Sequence, residues 1–331
     1  MGHAPASSWQ DSVVVAATEV ADRIRRITLR PVRPQAVRPG EHVDVRVRID
    51  GTEHQRSYSV VDATQDGSEL SLSVFHTPTS RGGSTFMHTL TAGDRLRITT
   101  PQQDFPLRIG AQRYVLLAGG IGITALVDMA RVLKRVKADY RVVYVGRTHE
   151  AMAYAEDLVA EHGDRITLHT DDTDGRFDVQ ALVQGIGHGT ELYMCGPIRL
   201  MDAVRRAWAA TDLDQTNLRY ETFGNSGWFD PEPFRVRIPR LDVETVVGPG
   251  ESLLEALERD GVEMMSDCRK GECGICQVKV LDVQGQADHR DVFHSDRQKD
   301  ATKTLCPCVS RVACGGTARA AGPAVLTIDV T

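Results

Sequence analysis

Six of the seven cysteines of this 331-residue chain lie in its last quarter. Three of them form the run Cys268-Arg-Lys-Gly-Glu-Cys273-Gly-Ile-Cys276. This C-x4-C-x2-C spacing is typical of plant-type [2Fe–2S] centres, which require a distant fourth cysteine. Thiolates are soft donors that suit iron in clusters. The sequence therefore predicts a [2Fe–2S] cluster, with Cys306 and Cys308 both open as the fourth ligand.

Zinc, or a set of buried free thiols, is the alternative interpretation of the same cysteines. Zinc sites usually combine two groups of the form C-x2–4-C. Here the second group is Cys306-Pro-Cys308, with Cys314 beyond it. That pattern matches zinc poorly, so iron is favoured.

A glycine-rich motif follows a buried-strand run and opens an apolar helical pattern that extends to Val136. Its sequence is Gly119-Gly120-Ile121-Gly122-Ile123-Thr124-Ala125, which satisfies G-x-G-x-x-A from Gly120. Glycines let the backbone approach a pyrophosphate, and a helix N-terminus offers free N–H donors. We therefore expect a dinucleotide here.

The acidic residue that usually holds the ribose is missing from its expected place. The next strand ends in Val145-Gly146-Arg147-Thr148 instead. Arg147 could contact a 2′-phosphate, although a solvated charge at the end of a strand explains it equally well.

Two further strings carry reactive or binding groups. Tyr193-Met194-Cys195-Gly196-Pro197 ends a strand, and its thiol and turn either lie beside a nicotinamide or form an ordinary buried strand end. Arg56-Ser57-Tyr58-Ser59 offers a cation, a flat aromatic ring and a hydroxyl group. On one strand these groups could hold a phosphate, stack on a ring and donate a hydrogen bond. Without the other motifs, an ordinary strand would be the better interpretation.

The elements that must position these residues fall into three predicted domains, 1–110, 111–228 and 229–331. The first has short strands between glycine and proline turns, which favours an antiparallel β-barrel, with strands at Ser12–Thr18, Arg23–Leu29, His42–Ile49 and Leu70–Phe75. One helix is expected between Gly82 and Gly93. The second alternates strands with helices, including one at Met152–His162, so a parallel α/β sheet is expected. The third follows Pro231 and Pro233 and is β-rich, with a helix at Leu253–Arg259. We therefore predict a multidomain β and α/β fold.

Composition excludes several classes of protein. The net charge of −6 gives no reason to expect nucleic acid or anionic lipid as a partner. The chain begins MGHAPASSWQ, without a basic and then apolar leader, and no run approaches the roughly 20 apolar residues that span a bilayer. We expect a cytoplasmic protein that does not insert into membranes.

Taken together, the motifs resemble a known family. The order R-x-Y-S, G-G-I-G-I-T, C-G-P and a C-terminal C-x4-C-x2-C is similar to the phthalate dioxygenase reductase and vanillate demethylase reductase family. The resemblance implies a flavin-binding β-barrel, an NAD(P)-binding α/β domain and a β-grasp-like plant-type ferredoxin domain, in that order. One departure is Ala125, where the family usually has proline.

The resemblance also implies a flavin site. Arg56 would contact the flavin phosphate, Tyr58 would lie against the isoalloxazine and Ser59 would face its N5, with Ser57 in the same string. A phosphate loop matches Arg81, Gly82, Gly83 and Ser84. Phe223 matches an aromatic residue close to the flavin.

A nucleotide site and the iron ligands are implied in the same way. The nucleotide would be lined by Gly119, Gly120, Gly122, Thr124, Arg147, Cys195, Gly196 and Pro197. Ser59, Cys195 and Phe223 would lie closest to the reacting rings. The segment from His289-Arg290-Asp291 to Cys308-Val-Ser-Arg311 resembles the family's H-R-D…C-V-S-R. That match selects Cys308 with Cys268, Cys273 and Cys276, and it makes Cys306 and Cys314 bystanders.

The family binds FMN, so the resemblance implies FMN in preference to FAD, and NADH with NADPH as the alternative. The expected activity carries electrons from nicotinamide through flavin and cluster to a separate terminal oxygenase. A drop of about 250 mV towards a Rieske centre favours transfer by roughly four powers of ten. A cytochrome P450 is the alternative acceptor. A cluster-based redox sensor and a flavin reductase are alternative functions. We expect a monomer, with Arg269 and Lys270 as candidate surface contacts for the partner.

Overall fold

The computed structural model describes residues 8–49, 51–78, 80–224, 227–314 and 323–330. The chain forms two compact units. One contains Met1–Gly196 and Ala203–Glu221, and the other contains Pro197–Asp202 and Thr222–Thr331. Among the described residues, no helix combines the length and apolarity needed to cross a bilayer.

The first unit begins with a closed antiparallel barrel. Its strands are β1 (Trp9–Ala21), β2 (Ile24–Pro31), β3 (Glu41–Ile49), β4 (Thr52–Ala63), β5 (Leu70–Phe75), β6 (Arg95–Thr99) and β7 (Gln102–Gln103). The order β4-β5-β2-β1-β6-β3 closes because β3 also pairs with β4, and β7 extends β3. Val43, Val45 and Val47 alternate along β3 and are fully buried, so the apolar period of two builds the barrel core. The helix α1 (Gly83–Thr89) lies between β5 and β6.

A parallel sheet completes this unit, in the order β10-β9-β8-β11-β12. The elements are β8 (Arg113–Gly119), α2 (Val127–Arg135), β9 (Tyr140–Gly146), α3 (Ala155–His162), β10 (Ile166–Thr170), α4 (Asp171–Asp174), α5 (Val179–Gln184), β11 (Thr190–Cys195), α6 (Ile198–Ala209) and β12 (Leu218–Glu221), and residues 198–202 of α6 are grouped with the second unit. The first strand, β8, lies between β9 and β11. The strand order therefore reverses between β8 and β11, where open α/β sheets bind ligands.

Two predicted helix starts are wrong. The glycine motif opens a 3₁₀ helix at Gly120–Ala125, and the α-helix begins only at Val127. Helix α3 begins at Ala155 and not at Met152, because Tyr154 has a left-handed backbone with φ of 64°. An α-helix cannot continue through that conformation.

The second unit is built on a mixed sheet in the order β14-β13-β19-β15-β17, beside a separate β16–β18 pair. Its elements are β13 (Phe234–Ile238), β14 (Val243–Val247), α7 (Leu253–Arg259), β15 (Val278–Gln284), β16 (Gln286–Asp288), α8 (Asp296–Ala301), β17 (Thr304–Leu305), β18 (Arg311–Ala313) and β19 (Val325–Asp329). Ser252 and Glu255 form a capping box that starts α7. Leu253 and Leu257 of that helix pack into the core of the sheet. The predicted fold class, a barrel followed by a parallel α/β sheet and a β-grasp-like unit, is confirmed.

Candidate functional site

The glycines after β8 meet the strand end of β11. A Cβ atom on Gly122 would lie 2.2 Å from the carbonyl oxygen of Cys195, and one on Gly196 would lie 3.0 Å from Cα of Gly119. Only glycine allows the two backbones to approach so closely. Gly120 has φ of 52°, which L side chains rarely adopt. The predicted nucleotide glycines therefore gather at the point where the strand order reverses.

The same glycine segment lies against the barrel. The 3₁₀ helix Gly120–Ala125 contacts β4 and β5. Strand β4 carries the string Arg56-Ser57-Tyr58-Ser59. The structure thus brings together the predicted flavin strand and the predicted nucleotide loop within one compact unit.

A buried carboxylate, which was not among the predicted site residues, joins these two regions. The hydroxyl of Ser59 donates to Oε2 of Glu221 at 3.3 Å. Glu221 is opposite Cys195 in the register of β11 and β12. Both Ser59 and Glu221 are almost completely buried. The signal for Glu221 was its place at the end of a strand two residues before Phe223, but the four-residue strand β12 was too short to be recognised.

Arg56 lies across the start of α1. A Cβ atom on Gly83 would lie 2.9 Å from Cγ of Arg56, and the Arg56 guanidinium donates to the carbonyl of Arg81 at 3.4 Å. Gly82 has φ of 81°, and the Ser84 hydroxyl donates to Ser80 at 2.8 Å. An anion at this place would meet a guanidinium and the backbone of a tight glycine turn.

Tyr58 and Ser57, the two middle residues of the string Arg56-Ser57-Tyr58-Ser59, have different surroundings. Burial raises the pKa of Tyr58 far above its ordinary value, although Arg56 and Arg81 lower it, so its ring is neutral. Ser57 donates to Oδ1 of Asp44 at 2.5 Å. The Ser57 hydroxyl is therefore already satisfied within the barrel.

The remaining nucleotide candidates have ordinary surroundings. The Thr124 hydroxyl donates to the carbonyl of Ile121 at 2.9 Å. Arg147 is exposed just beyond the carboxyl end of β9, and its carbonyl accepts from the N–H of Asp172 at 3.1 Å. Pro197 and the half-buried Phe223 belong to the second unit.

The cysteine loop precedes β15 in the second unit. The Cys268 thiol accepts from the backbone N–H groups of Lys270, Glu272 and Cys273, each at 3.4 Å. Gly271 and Gly274 have φ of 80° and 73°. Converging N–H groups and left-handed glycines are what a loop needs to wrap a cluster of soft sulfur ligands.

The last thiol of this loop lies beside two cysteines from further along the chain. Cys276, Cys306 and Cys308 are all buried in one cluster. Hydrogen bonds from the Cys306 and Cys308 thiols lower the pKa of Cys276, and the Cys276 bond and burial raise the pKa of the other two. The donor set fits a [2Fe–2S] group, and both candidates for the fourth ligand lie within reach of Cys276.

The two basic residues of the loop do not form the expected surface patch. Lys270 is 92% buried, since only 8% of its surface is exposed, and its carbonyl accepts from the Thr222 hydroxyl at 2.7 Å. Arg269 pairs with Glu258 at 2.5 Å. The prediction of exposed positive charge at Lys270 is wrong, because the tight loop turns that side chain inwards.

Three family models match successive parts of the chain. They are an oxidoreductase FAD-binding domain at residues 11–106, the N-terminal domain of dimethylamine monooxygenase subunit DmmA-like proteins at 97–218, and a 2Fe-2S iron-sulfur cluster binding domain at 236–313. The matches follow the order of the barrel, the parallel sheet and the cysteine loop.

Relatives cover nearly the whole chain. The heme-dependent oxidative N-demethylase beta subunit of Ectopseudomonas mendocina is 34% identical over 93% of this chain and 97% of that protein. The phthalate 4,5-dioxygenase oxygenase reductase subunit of Pseudomonas putida is 32% identical over 90% and 92%. The structure of phthalate dioxygenase reductase, described as modular for electron transfer from pyridine nucleotides to [2Fe-2S], superposes with a TM-score of 0.73 at 28% identity, covering 98% of both chains. The chain therefore belongs to the phthalate dioxygenase reductase family of flavin- and [2Fe–2S]-containing oxidoreductases.

Proposed function

We propose that this protein is the reductase component of a multicomponent oxygenase, and that it takes electrons from NADH and delivers them singly to a terminal oxygenase. The observation that carries the proposal is the convergence of Ser59, Glu221 and Cys195 beside the glycine segment that contacts β4. Hydride transfer requires a nicotinamide ring and a flavin ring to lie together. Here the glycine segment after β8 lies against the end of β11 and contacts β4, the strand that carries the predicted flavin residues.

A flavin bound here would supply the chemistry that couples a two-electron hydride donor to a one-electron cluster. The residues of this protein position the two rings. Ser59, held by the hydrogen bond it donates to Glu221, would present its hydroxyl oxygen at the predicted position of N5. Cys195 and Gly196 bound the nicotinamide side, and the absent side chain of Gly122 lets their backbone approach the glycine segment.

The flavin phosphate is assigned to Arg56 and to the turn from Arg81 to Ser84. Arg56 already crosses Gly83, so an added side chain there would displace it. The resemblance to the phthalate dioxygenase reductase family supports FMN over FAD. Tyr58 is neutral and half-buried, which suits packing against an uncharged ring system.

The cluster is assigned to Cys268, Cys273, Cys276 and Cys308. The N–H donors around Cys268 support thiolate ligands, because hydrogen bonds to sulfur stabilise the charged cage. Under this proposal residues 1–110 hold the flavin, 111–228 the nicotinamide nucleotide and 229–331 the cluster. Phe223, next to Thr222, would lie near the flavin.

A Rieske oxygenase is the favoured acceptor, because the phthalate dioxygenase relatives are of the dioxygenase type and the potential drop favours transfer. A heme acceptor such as a cytochrome P450 is the second candidate. One observation favours it: a relative of almost equal length is named as the subunit of a heme-dependent oxidative N-demethylase.

The test starts from the purified full chain. Iron, acid-labile sulfide and acid-released flavin are counted, and NADH and NADPH are compared as donors to ferricyanide and to cytochrome c. We expect two iron atoms, two sulfides and one FMN per chain, with NADH preferred. Protein that stays colourless after anaerobic reconstitution with iron, sulfide and FMN would refute the proposal.

A further inference from the structure

The H-R-D string contains a carboxylate that the proposed electron path does not use. Asp291 has no exposed surface. Its Oδ2 accepts from the backbone N–H of His294 at 2.8 Å and from His294 Nδ1 at 2.9 Å. Its Oδ1 accepts from the Ser310 hydroxyl at 3.2 Å and lies 3.5 Å from Nδ1 of His289. A buried charge held by this many donors fixes the geometry around it.

The hydrogen-bond partners of Asp291 connect it to separate segments of the chain that carry cysteines. His294 Nε2 lies 3.0 Å from Oε1 of Gln277, the residue after Cys276. Ser310 follows Cys308 by two positions. The segments that carry Cys276 and Cys308 are thus tied to one carboxylate.

The third connection is made through the backbone beside Asp291. The N–H of Val292 donates to the carbonyl of Gly271 at 3.0 Å. A Cβ atom on Gly271 would lie 3.0 Å from Cα of Asp291. Gly271 is between Cys268 and Cys273, so the first part of the loop is packed directly on Asp291.

A second metal ion is the competing explanation. Donor atoms of His289, Asp291 and His294 lie within 4.8 Å of one another, and all three residues are buried. However, Nδ1 of His294 is bound to Asp291, and Nε2 has Gln277 and Thr304 as neighbours at 3.0 and 2.9 Å. His294 has no ring nitrogen left for a metal, so the group is a hydrogen-bond network.

We infer that Asp291 is a positioning residue that holds the cysteine-bearing segments in cluster-binding geometry and whose buried charge helps to set the reduction potential of the cluster. The inference rests on the proposed function, because it needs the cluster to be bound by these cysteines. Partners beyond the metal ligands commonly change metal affinity by about 10–100-fold when they are removed. Net charge and hydrogen bonding also set the potential of iron–sulfur centres.

The test compares Asp291→Asn with Asp288→Asn in the full chain. Asp288 is an equally buried carboxylate, but it pairs with Arg290 at 2.6 Å and accepts from the N–H of Trp228 at 3.0 Å. It therefore controls for the loss of a buried charge that accepts none of the hydrogen bonds made to Asp291. We expect Asp291→Asn to lose its cluster to a chelator about 10–100-fold faster than the wild type. Any cluster that remains should have a more positive midpoint potential.

Several outcomes are informative. Asp291→Asn with the chelator rate and midpoint potential of Asp288→Asn would overturn the inference, and so would one zinc per chain released from the wild type but not from Asp291→Asn. If Asp291→Asn does not fold, Ser310→Ala removes one donor to Asp291, and a wild-type rate of cluster loss in that variant would also overturn it. A wild-type protein without a cluster would instead refute the proposed function.

Discussion

The Ser59 hydroxyl donates a 3.3 Å hydrogen bond to the carboxylate of Glu221, 162 residues further along the chain. Ser59 is 6% exposed and Glu221 is 2% exposed, so the bond is shielded from water. Because Glu221 is opposite Cys195 in the parallel sheet, the bond fixes the barrel strand relative to the nucleotide edge. The orientation of the Ser59 hydroxyl is therefore determined by the parallel sheet as well as by its own barrel.

Removing this hydroxyl should slow hydride transfer. We expect Ser59→Ala to lower the rate of flavin reduction by NADH at least about tenfold, because it removes the bond that fixes the barrel strand against the nucleotide edge, and a misplacement of about 1 Å at a reacting centre can cost about 100-fold in rate. Anaerobic stopped-flow absorbance of the flavin measures the rate. Glu221→Gln keeps a partner for Ser59 but removes the charge, so it should have a smaller effect.

Ser71→Ala is the matched control, since Ser71 is also buried in the barrel and bonds to Thr28 at 3.0 Å. It should reduce its flavin at the wild-type rate. Equal rates in Ser59→Ala and Ser71→Ala would contradict the role given to Ser59.

A methyl group at Gly122 should disrupt the nucleotide site. Its Cβ atom would meet a backbone carbonyl, which cannot rotate away, at 2.2 Å. We expect Gly122→Ala to destabilise the protein by about 1–3 kcal/mol, as overpacking does, and to raise KM for NADH. Steady-state ferricyanide reduction and thermal unfolding measure the two effects. Gly187→Ala is the control, because a Cβ atom there meets nothing within 4 Å, and wild-type behaviour of both variants would argue against a nucleotide at Gly122.

A buried histidine predicts how stability depends on pH. His162 is 5% exposed and its Nδ1 lies 2.7 Å from the Tyr140 hydroxyl. Burial is the main cause that lowers the pKa of His162. The unfolded chain, with a histidine pKa of about 6.5, therefore takes up a proton that the folded protein resists. The contribution of His162 to the free energy of unfolding is fully present above a pH of about 6.5, and it is lost as the pH falls towards the lower pKa of the folded state.

His162→Gln tests this because it keeps an acceptor for Tyr140 and does not titrate. Between pH 7.5 and 5.5 the urea midpoint of the wild type should fall more steeply than that of the variant. Expressed as free energy of unfolding, the two slopes should differ by no more than about 1.4 kcal/mol per pH unit, the limit for one proton. Parallel curves would show that His162 is protonated as easily in the folded as in the unfolded protein.

The sequence was sufficient for features that rest on local spacing. The cysteine loop, the glycine motif and the alternation of strands and helices could all be predicted, because each depends on residues close together in the chain. Contacts between distant residues could not be predicted. Glu221 and Asp291 act through partners on other strands and loops, and the inward turn of Lys270 depends on how the loop packs. The late start of α3 depends on the single left-handed residue Tyr154, which no pattern indicated.

The choice between Cys306 and Cys308 is the sharpest test of the iron ligands, because both are buried beside Cys276. We expect Cys308→Ser to lose the cluster and cytochrome c reduction while it keeps NADH-dependent ferricyanide reduction, since ferricyanide can take electrons directly from the flavin. Cys306→Ser should keep both activities and two iron atoms per chain, and Cys314→Ser serves as the outlying control. If Cys306→Ser loses its iron and Cys308→Ser keeps it, the two thiols have exchanged roles. The resemblance that selected Cys308 would then have misplaced the fourth ligand by two residues.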